Sequence, residues 1–75
     1  MMNTEQKNLI ADELLVVAVA GYHGPVTWAD HGAFIVLPDF RLHVVLTPDN
    51  QTRVVVTRDG LISVFDSMDE ALDTL

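Results

Sequence analysis

Between Ala33 and Phe65 the chain alternates short runs of β-branched and aromatic residues with three stretches of turn chemistry, a pattern that leaves little besides an antiparallel sheet. The firmest turn is Asp59-Gly60, between Thr57-Arg58 and Leu61-Ile62. A type I′ hairpin needs positive φ at both central positions, and Asp-Gly tolerates that. Leu37-Pro38-Asp39-Phe40 is a second reversal, in which proline presets φ and aspartate bonds back to the backbone. Pro48-Asp49-Asn50-Gln51 is the third, with Asn50 the natural occupant of a left-handed position.

These turns delimit four strands, at about 33–37, 41–47, 52–57 and 61–65. Side chains alternate across a strand, so the turns also fix which residues share a face. With two-residue loops at 38–39 and 59–60 and a three-residue loop at 49–51, one face collects Ile35, Leu37, Phe40, Leu42, Val44, Leu46, Val54, Val56, Leu61 and Phe65. That is the expected core face. The other collects Phe34, Val36, Arg41, His43, Val45, Thr47, Arg53, Val55, Thr57, Ile62 and Val64, a mixture too apolar for a face left to water.

The flanks read as helices. From about residue 4 to 20, Ile10, Leu14, Val17 and Gly21 fall on one stripe with Leu9, Val16 and Ala20 beside it, while Asp12 and Glu13 face out. Asn3 or Thr4 can cap the start, and Gly21 can stop the end. A strand over Leu14–Val19 is the competing assignment, because a short Val-rich run has no decisive period. Residues 21–32 read as a connecting loop, with a short extended piece at Val26-Thr27-Trp28 and with Trp28 plugging an end of the core. At about 67–75, Ser67 and Glu70 have the spacing of a capping box, and Met68, Ala71, Leu72 and Leu75 share an inner face. The expected fold is one α+β domain over 1–75: a long N-terminal helix, a four-stranded antiparallel meander and a short C-terminal helix.

Composition limits function more than it reveals it. There is no cysteine, hence no disulfide to reinforce a chain of 75 residues, which leaves a good core or a second subunit to supply the missing burial. The longest apolar run, Leu14–Ala20, is too short for a membrane span, and the opening residues lack a basic segment before an apolar stretch, so a cytoplasmic setting is expected. Eleven acids against four bases give a net charge of −7, which disfavours direct nucleic-acid binding and favours a basic protein partner. The acids at Asp66, Asp69, Glu70 and Asp73 form the surface suited to such a partner. Mimicry of nucleic acid by an accessory protein of a phage or mobile element would fit the same charge.

No catalytic chemistry is legible. Ser63 falls within a strand, Ser67 at a cap, and the four glycines follow no phosphate-loop spacing. No cofactor is expected. His23, Asp30 and His31 lie near one another in sequence and His43 could join them, but the spacing matches no zinc motif. Two classes of function follow. The first is a non-enzymatic interaction domain, a homodimer that regulates or inhibits another protein, using Phe34, Val36, Arg41, His43, Val45, Arg53, Val55 and Val64 as its contact face. The second is a metal- or small-molecule-binding protein built on the loop from His23 to His31.

Overall fold

The structure is a computed structural model and describes residues 2–75. Its elements in chain order are α1 (Thr4–Val19), β1 (Val26–Ala29), β2 (Gly32–Val36), β3 (Arg41–Leu46), β4 (Thr52–Arg58), β5 (Leu61–Phe65) and α2 (Met68–Asp73). The strands form one antiparallel sheet in the order β1-β2-β3-β4-β5, so each strand pairs with its neighbour in sequence. The α+β class stands, with five strands rather than four.

The fifth strand comes from the segment expected to be a connection. Val26 pairs with Ile35 and Ala29 with Gly32, which leaves only Asp30-His31 as the turn between β1 and β2. Val26, Thr27 and Trp28 are good strand formers, but four residues are too few to establish a period of two. Trp28 lies on the helix side of this edge strand and remains exposed, so it does not plug the core. Gly32 is buried because it pairs with β3 at very close range: a Cβ placed there would stand 2.1 Å from the Val44 carbonyl oxygen.

The turns behave largely as their chemistry demands. Asp59 and Gly60 have φ of 53° and 78°, the two positive values of a type I′ hairpin, and Arg58 faces Leu61 across it. Asn50 takes the left-handed conformation with φ of 62°. The loop that contains it closes one residue earlier than expected, at 48–50. The Asn50 N–H donates to the Thr47 carbonyl at 3.0 Å, and the Thr47 N–H to the Gln51 carbonyl at 2.8 Å. This is a tight turn followed by a left-handed residue, the usual three-residue hairpin. Pairing of β3 with β4 is therefore displaced by two residues from the expected register, with Leu46 facing Thr52 and Val44 facing Val54. A displacement of two keeps every side chain on its face.

In α1 the Asn3 side chain accepts the Gln6 N–H at 2.8 Å, and the Gln6 side chain accepts the Asn3 N–H at 3.0 Å. The helix ends where the Tyr22 N–H reaches the Val17 carbonyl and the Gly21 N–H the Ala18 carbonyl, the paired bonds of a Schellman stop. Both helices cover the same side of the sheet, α1 over β2 and β3 and α2 over β4 and β5. Ile10 and Val17 of α1, Met68 and Ala71 of α2, and Ala33, Ile35, Leu42, Val44, Val54 and Val56 of the sheet make the buried layer between them. Leu61 shares that side but lies beyond the cover of α2, and stays exposed.

Glu13 does not face out. It is half-buried, and its carboxylate accepts the Met68 N–H at 2.8 Å and the Thr52 hydroxyl at 3.4 Å. The expected capping box of α2 forms only in part: Ser67 Oγ accepts the Glu70 N–H at 3.3 Å, but the Glu70 carboxylate turns to the Asp66 N–H instead of that of Ser67.

Candidate functional site

With both helices on one side, the other side of the sheet is covered by no element among the described residues. Neither the segment before β2 nor α2 reaches it. Register sets its side chains in three rows across the strands. The central row is Thr27, Phe34, His43, Val55 and Val64. On the side of the Asp59-Gly60 turn lie Val36, Arg41, Thr57 and Ile62. On the opposite side Val45 faces Arg53. All eight residues expected on the contact face are therefore brought together on one surface. Val36 is 41% exposed, Ile62 70% and Val64 62%, whereas Phe34, His43, Val45 and Val55 are half-buried by their neighbours alone.

Local contacts stiffen this surface. The His43 ring meets Phe34 edge-on with centroids 5.8 Å apart, and the Arg41 guanidinium lies 5.5 Å from the Phe34 centroid, in range of a cation–π contact. At the other end Arg53 Nε approaches the Asp66 carboxylate at 3.4 Å, and the guanidinium also donates to the Thr52 carbonyl at 2.9 Å. The Arg53–Asp66 pair is solvated, so it orients the arginine more than it stabilises the fold. No strand position on this face carries an acid. The acids stand in turns, at the sheet ends and on the helices, which gives the molecule an acidic helix side and a sheet side that is apolar with basic ends.

The four acids of the expected acidic surface do not form one patch of equal kind. Asp66 closes the end of β5 and is paired with Arg53, while Asp69, Glu70 and Asp73 are exposed on α2. The histidines are dispersed: His23 precedes β1, His31 lies in the turn after it, and His43 is in mid-sheet on the outer face. Formation of β1 as a strand holds His23 and His31 at opposite ends of it. Among the described residues no three His, Asp or Glu side chains converge into a group that could hold a metal ion. No helix among them is long and apolar enough to cross a membrane.

Clefts open on the surface at several places among the described residues. One of about 460 Å³ lies between the start of α1 and the end of β1, lined by Met2, Lys7, Trp28 and Asp30. Another, of about 410 Å³, lies beside the β3–β4 turn, where Gln6 Nε2 donates to Asn50 Oδ1 at 2.9 Å. A third, of about 240 Å³, runs along β5 beneath the end of α2, lined by Leu61, Phe65 and Leu75 among others. The β1 strand was the feature least legible in the sequence, its sign being the run Val26-Thr27-Trp28 between Pro25 and Asp30; β5 falls at the end of the meander as expected, but with Leu61 exposed instead of in the core. Comparison of the chain with protein-family models, with curated proteins and with solved structures gives no significant match.

Proposed function

We propose that the protein is a non-enzymatic, cytoplasmic interaction domain that works as a homodimer, burying the outer face of its sheet against the same face of a second copy, and that in this form it regulates or inhibits another protein. The observation that carries this reading is the contiguous row Phe34–His43–Val55–Val64, flanked by Val36 and Ile62, on a face that no element among the described residues covers. A solvated sheet face ordinarily alternates to polar residues, and this one does not.

Arg41 and Arg53 stand at opposite ends of the face; a two-fold axis running across the strands parts the two Arg41 groups but sets Arg41 of each copy near Arg53 of the other, so like charges meet at the rim, where water and salt screen them. Size sets the strength. Five strands about 4.8 Å apart and five residues deep at about 3.4 Å span about 24 Å by about 17 Å, a footprint of about 400 Å² per copy that falls below the usual range of stable interfaces and in that of transient ones. The dimer is accordingly of the weak, concentration-dependent kind.

Light scattering from low to high micromolar concentration tests this. The native protein is expected to move from one chain mass towards two, and Val55→Asp to stay at one. A single-chain mass for the native protein throughout that range would overturn the proposal.

A further inference from the structure

We propose that His43 makes the dimer a sensor of acidity: it lies at the symmetry point of the buried face, meets His43 of the second copy there, and parts the two chains when both imidazoles take up protons. This role rests on the face-to-face dimer proposed above and adds a means of regulating it.

Position comes first. β3 is the third of five strands, and His43 belongs to the central of the three rows on the outer face, so its side chain stands at the middle of that surface. A two-fold axis that brings two such faces together must lie in the plane between them. A half-turn about any in-plane axis through the centre carries the central point to the one directly opposite, whether the axis runs along the strands, across them or obliquely. Full overlap of the two faces therefore sets His43 against His43. Stacked sheets lie about 10 Å apart with their side chains interdigitated, close enough for the two rings to meet.

The groups around the ring give an added charge no counter-ion. From β2 the Phe34 ring meets it edge-on; from β4 Val55 stands directly opposite, with Arg53 on the diagonal; on β3 itself Arg41 and Val45 flank it. The charged groups among these are the two arginines. Arg41 lies against the same Phe34 ring, and Arg53 is paired with Asp66 at the end of β5, two strands away from β3. No strand position of the outer face carries an acid, and a second copy brings the same set of groups whichever axis relates the two.

Neutral imidazole has one donor and one acceptor, so two neutral rings can share a hydrogen bond, and a pair holding one proton can do so as well. A second proton sets two like charges together in a place partly withdrawn from water. Contacts within one chain, such as that with Phe34, are present in both states and leave the balance between them unchanged. Two separate chains thus take up two protons through the histidine range, from about pH 8 to about pH 5, and the dimer one at most. Acid therefore favours the separate chains. General charge acts in the opposite direction: protonation of all three histidines takes the net charge from −7 to −4, and the weaker repulsion alone would tighten the dimer.

Sedimentation equilibrium of the full chain at about pH 8 and about pH 5 tests this. The dimer dissociation constant of the native protein is expected to rise by about tenfold or more on acidification. In His43→Gln, which keeps a donor and an acceptor but takes no proton, it should hold steady or fall. His23→Gln and His31→Gln, outside the face, should follow the native protein. Followed by NMR, the His43 imidazole should titrate at lower pH as protein concentration rises, a displacement that a merely structural role would not produce. A native dimer that holds or tightens at the lower pH, a loss that persists in His43→Gln, or a His43 midpoint that ignores concentration while dimers form would overturn the sensor and leave the dimer standing. A single-chain mass at both pH values would remove the dimer, and the sensor with it.

Discussion

The Glu13 carboxylate of α1 accepts the Met68 N–H at 2.8 Å, so the first amide of α2 is satisfied by a side chain 55 residues away. A helix of six residues has little stability of its own, and its unpaired N-terminal amides attract negative charge. Glu13 thereby fastens the two helices to each other as well as to the sheet. Replacement Glu13→Ala is expected to cost about 1–3 kcal/mol, and Glu13→Gln less, because the amide oxygen can still accept the bond. Denaturant unfolding of both variants checks this order; equal losses would mean that the acceptor contributes nothing.

The Asp59-Gly60 turn makes a second prediction. A Cβ on Gly60 would meet no atom within 4 Å, so any loss in Gly60→Val measures backbone conformation alone. A β-branched residue strongly resists the φ of 78° found there, and a loss of about 1 kcal/mol or more is expected. A melting temperature equal to that of the native protein would contradict the type I′ assignment.

Gly32 is demanding for the opposite reason. Its backbone dihedrals are not in question; space is. Gly32→Ala must push β2 from β3, since the added carbon would stand 2.1 Å from the Val44 carbonyl oxygen. The cost should be about 1–3 kcal/mol, as for other overpacked sites. Faster amide exchange along β1 and β2, with little change at β4 and β5, is the expected signature.

The β3–β4 turn carries a pH dependence. Thr47 Oγ1 donates to the Asp49 carboxylate, and this bond, aided by the Asp49 backbone N–H and more weakly by Arg53, holds the carboxyl below its ordinary value. A carboxyl depressed in the folded state contributes stability above its unfolded value, and that contribution is lost as pH falls through the folded one. Thr47→Val is expected to raise the Asp49 midpoint and to flatten the acid limb of the stability curve. Carboxyl carbon shifts followed by NMR titration measure it directly, and an unmoved midpoint would reject the Thr47 bond as the cause.

Much of the sheet was legible because its information is local. Asp59-Gly60 and Asn50 specify their own dihedrals, and alternation from Ile35 to Val56 sorts core from surface whatever lies elsewhere. The outer face was legible for the same reason: the β3–β4 loop closes at 48–50 rather than 49–51, yet a two-residue displacement leaves Arg41, His43 and Val45 beside Arg53 and Val55. What decides that closure is the Thr47 hydroxyl, which accepts the Gln51 N–H at 3.0 Å, a contact that residue pattern does not announce. β1 escaped because four exposed residues carry no period. Glu13 reads as a surface acid on a helical wheel, and only the docking of α2 gives it a donor. The second half of α1 was ambiguous for a physical reason as well, since Leu15 and Val19 are apolar and yet exposed.

The sheet order β1-β2-β3-β4-β5 has a kinetic consequence. Every ladder joins strands adjacent in the chain, so each closes only a short loop and the sheet can zip hairpin by hairpin. The one assembly step that must span most of the chain is the docking of α1 against α2. Folding is therefore expected to be quick for a β-rich domain, with the helix–helix contact formed after the rate-limiting barrier. Stopped-flow refolding of Glu13→Ala should show a folding arm close to that of the native protein and an unfolding arm that is faster; a slowed folding arm would put the helix pair in the nucleus instead.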